Sequence, residues 1–317
     1  MSDDMHLICD EHGVFLRRDA IELGYTDQSL ARLVRQRTVH RIRHGSYSMG
    51  QEWDGLKATE RHWRRAMAVL RTSRASVAVS HTTALIGMDV PVWDLALDLV
   101  HVTRLDHRGG RKAAGVAQHR GRLCPDELTS TRGVQATSAA RTAIDLTTMA
   151  DVEHCLPVLD HLLHVEATTK EELRVIAKRQ EFWAHTLTTD LVIQLADGRR
   201  ESVGESRSAY MFWRGGLPRP QPNHKILDER GRVFARVDFA WPGLGVFLEF
   251  DGKEKYLRYR REGELVIDAV LREKRREERI CRLTGWRCIR ITWADLYRPE
   301  ATVAYIASVL AGGPVHP

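Results

Sequence analysis

The stretch VFLEFDGKEKY, residues 246–256, opens like a buried strand and closes in charge. Val246, Phe247 and Leu248 are apolar, and Glu249, Asp251 and Lys253 then occupy every second position. Alternate residues of a strand share one face, so the two carboxylates project together, their Cα atoms roughly 7 Å apart at about 3.3 Å per residue. Aligned carboxylates at the end of an apolar strand are costly unless a cation or a water-filled cleft receives them. A divalent ion held by carboxylates and waters is the economical explanation, and such an ion polarises a phosphodiester and acidifies a bound water. A lysine beside it would orient that water or offset developing charge.

The flanking sequence predicts the elements around this strand. Ser202 caps a helix to about Trp213 with Glu205 in its first turn. Asn223–Leu227 and Val233–Ala240 form two strands of a meander, the second carrying Asp238. Asp268–Leu283 is a helix with a basic face and candidate core positions Val270, Leu271, Ile280 and Leu283. Gly285 ends it, and Trp286–Thr292 alternates as a last strand.

At the other end, residues 17–47 predict helix, glycine stop, helix and β-wing. Arg17–Leu23 is stopped by Gly24, and Thr26 caps Asp27–Gln36. Val39–Arg43 is a short strand before a turn at Gly45. This winged helix-turn-helix outline is arginine-rich. Gln28, Ser29 and Arg32 are the expected groove-facing residues, with Arg41, Arg43 and His44 on phosphates and Arg35 a further DNA-binding residue. Between the two ends, LDLVHVT and GVQAT predict strands. SAARTAIDLTTM predicts a helix capped by Ser138, and Asp151–Leu163 another that contains Pro157. His154, His161 and His164 fall at helical spacing without further ligands, so they are expected to face solvent, and Ser80-His81 is expected to start a helix.

Bulk properties narrow the class. The 317 residues are 43% hydrophobic and carry a formal charge of +6, which favours a polyanionic partner. Five scattered cysteines without a C-x-x-C argue against a disulfide framework or zinc ribbon and for a reducing cytoplasm. The opening MSDDMHLICDEHG lacks the apolar core of a secretory signal, and no run approaches membrane-spanning length. The expected division is a winged element at 1–50, a mixed α/β region at 51–180 and the acidic-strand domain at 181–317, an α+β (α/β) chain overall.

Glu205, Asp238 and Glu249-Phe250-Asp251-Gly252-Lys253 together resemble the PD-(D/E)XK nuclease layout. VDFAWPGLGVFLEFDGKEKY with REKRREERICRLTGWRCIRITWADL resembles, across about residues 200–300, the very-short-patch-repair-like endonuclease domain of actinobacterial proteins. The wing element and GVQATSAARTAIDL resemble the AbiEi-type antitoxin family. The first resemblance implies a restriction-endonuclease-like α/β/α domain. It would bind Mg2+ (or Mn2+) through Asp238, Glu249 and Asp251, with Glu205 assisting and Lys253 supporting the attacking water. Double-stranded DNA is then the expected substrate, in defence against foreign DNA. The AbiEi-type resemblance implies an operator-binding regulator with a homodimer or a cognate toxin as partner and an inactive nuclease-like domain. The sequence departs from the nuclease motif in two places. Asp251 stands where the catalytic lysine belongs, and Lys255-Tyr256 replaces a histidine common after the glycine.

Overall fold

The computed structural model describes residues 3–106, 110, 112–252 and 266–315. The chain is mixed α+β and divides into two units: Met1–Ala150 with Thr168–Thr189, and Asp151–Ala167 with Asp190–Pro317.

The first unit begins with the winged element. Helices Arg17–Glu22 and Asp27–Arg35 stand against a small sheet of β1 (Phe15–Leu16), β2 (Val39–Arg43) and β3 (Ser46–Met49), in the order β1-β3-β2. Thr26 caps the second helix by accepting the Ser29 amide, as its hydroxyl at that position predicts. Phe15, Ala20, Leu30, Val39 and Tyr47 form its core, with Tyr47 stacked on Phe15 at 5.5 Å between ring centres.

The rest of this unit is a six-stranded sheet. Its strands are β4 (Val77–Val79), β5 (Val100–Arg104), β6 (Lys112–Ala113), β7 (Val116–His119), β8 (Leu128–Thr131) and β9 (Val134–Thr137), in the order β6-β7-β5-β4-β9-β8. β5 pairs parallel with β7, and β4 antiparallel with β5. Trp63 and Met67 of helix Ala58–Thr72 and Ile86 of helix His81–Gly87 join Val79, Val100 and Val102 in its core. Arg71 links this layer to the wing by donating to Asp10 (3.0 Å), Asp19 (2.8 Å) and the Val14 carbonyl.

The second unit holds the acidic strand. β10 (Gln221–Leu227), β11 (Val233–Trp241) and β12 (Val246–Asp251) form an antiparallel meander. β13 (Arg287–Thr292) then pairs parallel with β12, after helix Val266–Thr284. Helices Val203–Arg214 and Pro299–Leu310 cover one face, where Phe212, Ile306 and Val309 meet Phe239, Leu248, Phe250 and Ile291. Ile280 of Val266–Thr284 covers the other against Val237 and Phe247. Two covered faces explain why β12 reads as a continuous apolar run rather than an alternating one. Leu248 and Phe247 are fully buried, each contributing about 1.5–3 kcal/mol. Leu271, an expected core position, is instead 44% exposed, because the face of the helix that reaches the sheet is the one bearing Ile280.

Gly204 sets how near the covering helix comes. A Cβ there would lie 2.1 Å from the Phe250 ring, so only glycine lets the first turn close on β12. Gly245, at φ +61, turns the chain between β11 and β12 in the left-handed region.

Helix Val152–His164 belongs with the second unit because its buried Asp160 is claimed there. Arg200 donates to both Asp160 oxygens (2.6 and 2.7 Å), Ser206 Oγ donates at 2.6 Å and the Asp197 amide at 2.7 Å. A buried charge needs this many partners. Among the described residues, no helix is long and apolar enough to cross a membrane.

Candidate functional site

Of the carboxylates singled out in the sequence, Glu249 and Asp251 lie at the end of β12, Asp238 on the neighbouring β11 and Glu205 in the helix that packs on β12. Parallel pairing sets Glu249 beside Arg290 and Asp251 beside Thr292. Glu249, 7% exposed, accepts from Arg276 Nη1 at 3.1 Å, and Arg276 also reaches Glu273 at 2.6 Å. Asp251 lies 3.7 Å from Arg290 Nη1, and Arg290 also grips Glu277 at 2.5 Å. Each guanidinium is therefore shared between one carboxylate of β12 and one of helix Val266–Thr284. Asp238, on β11, is 9% exposed and accepts the Phe250 amide at 2.8 Å. Glu205 accepts the Ser202 hydroxyl at 2.7 Å and the Glu201 amide at 3.0 Å, closing the first turn of its helix. Among the described residues, Asp238, Glu249 and Asp251 do not form a set whose ligand oxygens all lie within 4.8 Å of one another. Lys253 lies outside the described residues.

On the wing element, Gln28, Arg32, Arg35, Arg41 and His44 are exposed, while Ser29 and Arg43 are half-buried. Ser29 is committed to the cap: its hydroxyl donates to the Thr26 carbonyl at 2.8 Å and accepts the Thr26 amide at 2.8 Å. Arg41 donates to His44 Nδ1 at 3.0 Å, holding the two together on the wing. Burial pulls the Arg43 guanidinium below its ordinary pKa.

A second cluster escaped the sequence. His81, His101 and His119 place one ligand nitrogen each within 4.8 Å of the others. The expected helix start at Ser80-His81 is present, with His81 at φ +51. Parallel pairing of β5 with β7 sets Thr103 beside His119, which carries His101 to the same place. His101 Nδ1 lies 2.9 Å from His119 Nε2, and His81 Nδ1 lies 3.0 Å from Ser80 Oγ. The His81 and His119 rings stack at 3.7 Å. Burial first, and then the neighbouring imidazole, pushes His101 down to about 4; burial and Arg141 push His119 to about 4; burial first, and then His119, drives His81 well below the ordinary imidazole value. The cluster borders a cleft of about 220 Å³ walled by Thr103, Arg120, Arg141 and Trp183. The three histidines stand about twenty residues apart in sequence, so no local spacing could have announced them. By contrast, His154 pairs with Asp151 at 2.7 Å and His164 donates to the Gly198 carbonyl at 2.9 Å, ordinary surface roles.

No family model matches the chain. It is similar to two uncharacterised proteins from two strains of Mycobacterium tuberculosis. Each is 27% identical to it over 172 residues, covering 54% of this chain and 60% of the relative. The chain thus spans 60% of the length of the curated relatives it matches.

Proposed function

We propose that this protein binds double-stranded DNA through its winged element and hydrolyses phosphodiester bonds at the end of β12, with Mg2+ or Mn2+ as cofactor. The observation that carries the reading is the placement of Glu249 and Asp251 at the end of β12, beside the strand that bears Asp238. They lie in the element order helix, three-stranded meander, helix, parallel strand. Glu205 stands in the first turn of the helix that packs on that strand. A divalent ion entering there would compete with Arg276 and Arg290 for the β12 carboxylates. Both arginines keep a second carboxylate, Glu273 and Glu277, so their release from β12 leaves neither guanidinium unpaired. The ion would supply Lewis acidity and an acidified water. Lys253 would assist that water, the exposed Arg32 would face the major groove, and the exposed Arg35 and Arg41 would hold phosphates. Defence against foreign DNA is the setting this chemistry suits.

The same arginine pairing favours a second reading, in which the acidic face is structural and the protein is a DNA-binding regulator with a homodimer or a cognate toxin as partner. Cleavage of supercoiled plasmid and single-stranded DNA with Mg2+ or Mn2+, wild type beside Asp251→Ala, separates the two. Metal-dependent cutting lost in the variant supports the nuclease. DNA binding without cutting on any substrate favours the regulator.

A further inference from the structure

We propose that His81, His101 and His119 form a binding site for one divalent transition-metal ion of the zinc class, with its fourth coordination position facing the cleft beside them. The inference rests on the first unit alone and stands apart from the nuclease reading.

The donor set fits. Three imidazoles with an open fourth position are a recurrent zinc arrangement, and zinc binds imidazole nitrogen at about 2.0–2.1 Å. Tetrahedral geometry at that length spaces the nitrogens roughly 3.3 Å apart. His101 Nδ1 and His119 Nε2 are 2.9 Å apart, slightly closer, as expected of two nitrogens sharing one proton. Replacing that proton by an ion opens the pair by a few tenths of an ångström and fans the stacked rings apart. Ser80 Oγ engages His81 Nδ1 and leaves Nε2 to the ion, the way an outer hydrogen bond selects the ligating nitrogen.

Two further observations point to a ligand. Thr103 Oγ1, in the wall of the cleft and 1% exposed, has no hydrogen-bond partner among the described residues, and buried hydroxyls are rarely left so. His81 holds a left-handed backbone conformation at φ +51, which a β-carbon residue adopts at a cost and which aims its ring at the other two. Arg120 and Arg141 in the same wall suit a fourth ligand that is hydroxide or a small anion. Arg141 is oriented by Glu127 (2.6 Å) and Asp145 (2.8 Å).

The test is titration of chelator-stripped, full-length protein with Co2+ and then Zn2+. With excess Mg2+ present to occupy the carboxylates of β12, the expected result is one equivalent bound, a visible spectrum of four-coordinate cobalt displaced by zinc, and a Tm rise that saturates at one equivalent. His101→Gln and His119→Gln should each lower affinity by about tenfold or more, while His164→Gln, at a surface histidine of the second unit, leaves the cobalt spectrum unchanged. No binding by the wild type, or equal binding by both histidine variants, overturns the proposal. Should those variants fail to fold, X-ray absorption of the zinc-loaded wild type decides. Three imidazole nitrogens at about 2.0–2.1 Å support the site, and an all-oxygen or sulfur shell overturns it.

Discussion

The Asp238 carboxylate accepts the backbone N–H of Phe250 at 2.8 Å, joining β11 to β12 just beyond their last paired residues, Phe239 and Leu248. One residue therefore serves the sheet and stands where the nuclease reading needs a metal ligand. Asp238→Ala leaves a buried amide unpaired and should cost about 1–3 kcal/mol. Asp238→Asn keeps an acceptor oxygen and should cost less than about 1 kcal/mol while abolishing metal-dependent cleavage. Urea unfolding run beside plasmid cutting checks both. An Asn variant that folds and still cuts removes Asp238 from the chemistry.

Gly204 and Phe250 make a tight contact between helix and strand. Gly204→Ala drives a methyl into the ring and should destabilise by about 1–3 kcal/mol. Phe250→Leu in the same chain should relieve part of that loss, so the double-mutant cycle is non-additive. Thermal melts of the four proteins measure the coupling.

Asp160 and Arg200 are 1% and 6% exposed and share two hydrogen bonds. Arg200→Met removes the cation and leaves the carboxylate to Ser206 and the Asp197 amide, an expected loss of about 3–5 kcal/mol. The urea midpoint should fall with an unchanged m-value. An effect below about 1 kcal/mol would mean the pair is not closed in solution.

On the wing, Arg41→Ala should weaken DNA binding on every sequence and reduce the salt slope by about one, whereas Arg32→Ala, on helix Asp27–Arg35, should also relax sequence preference. Ser29→Ala should instead cost about 0.5–2 kcal/mol of helix stability, because its hydroxyl is spent on the cap. Fluorescence anisotropy across a salt series, with melts of the same proteins, tells the roles apart.

His62 gives the fold an acid-sensitive point. Its Nδ1 donates to the Leu97 carbonyl at 3.1 Å and its Nε2 accepts from Thr83 at 2.8 Å. Burial lowers its pKa below 6.5. The unfolded chain thus takes up a proton the fold refuses, so stability falls as pH drops through 6.5 and levels off below the folded pKa. His62→Gln should make that limb shallower by at most about 1.4 kcal/mol per pH unit, read from urea midpoints at stepped pH. An unchanged slope would show that His62 is not buried neutral.

Elements whose signals lie within a few residues were legible in the sequence. Thr26, Ser138 and Ser202 cap the helices they were expected to cap, and Gly24 follows the helix it was expected to stop. The Val246–Asp251 strand and the helix and strand after it stand where periodicity put them. Capping and periodicity are local, acting between residue i and about i+4, so one chain suffices to read them. Only the tertiary structure decided which partners the carboxylates of β12 would meet, since Arg276 and Arg290 arrive from a later helix and strand. It alone decided that helix Val152–His164 joins the second unit through Asp160. And it alone brought His81, His101 and His119 together, because their meeting depends on β7 lying beside β5, a pairing between distant segments that no local pattern encodes.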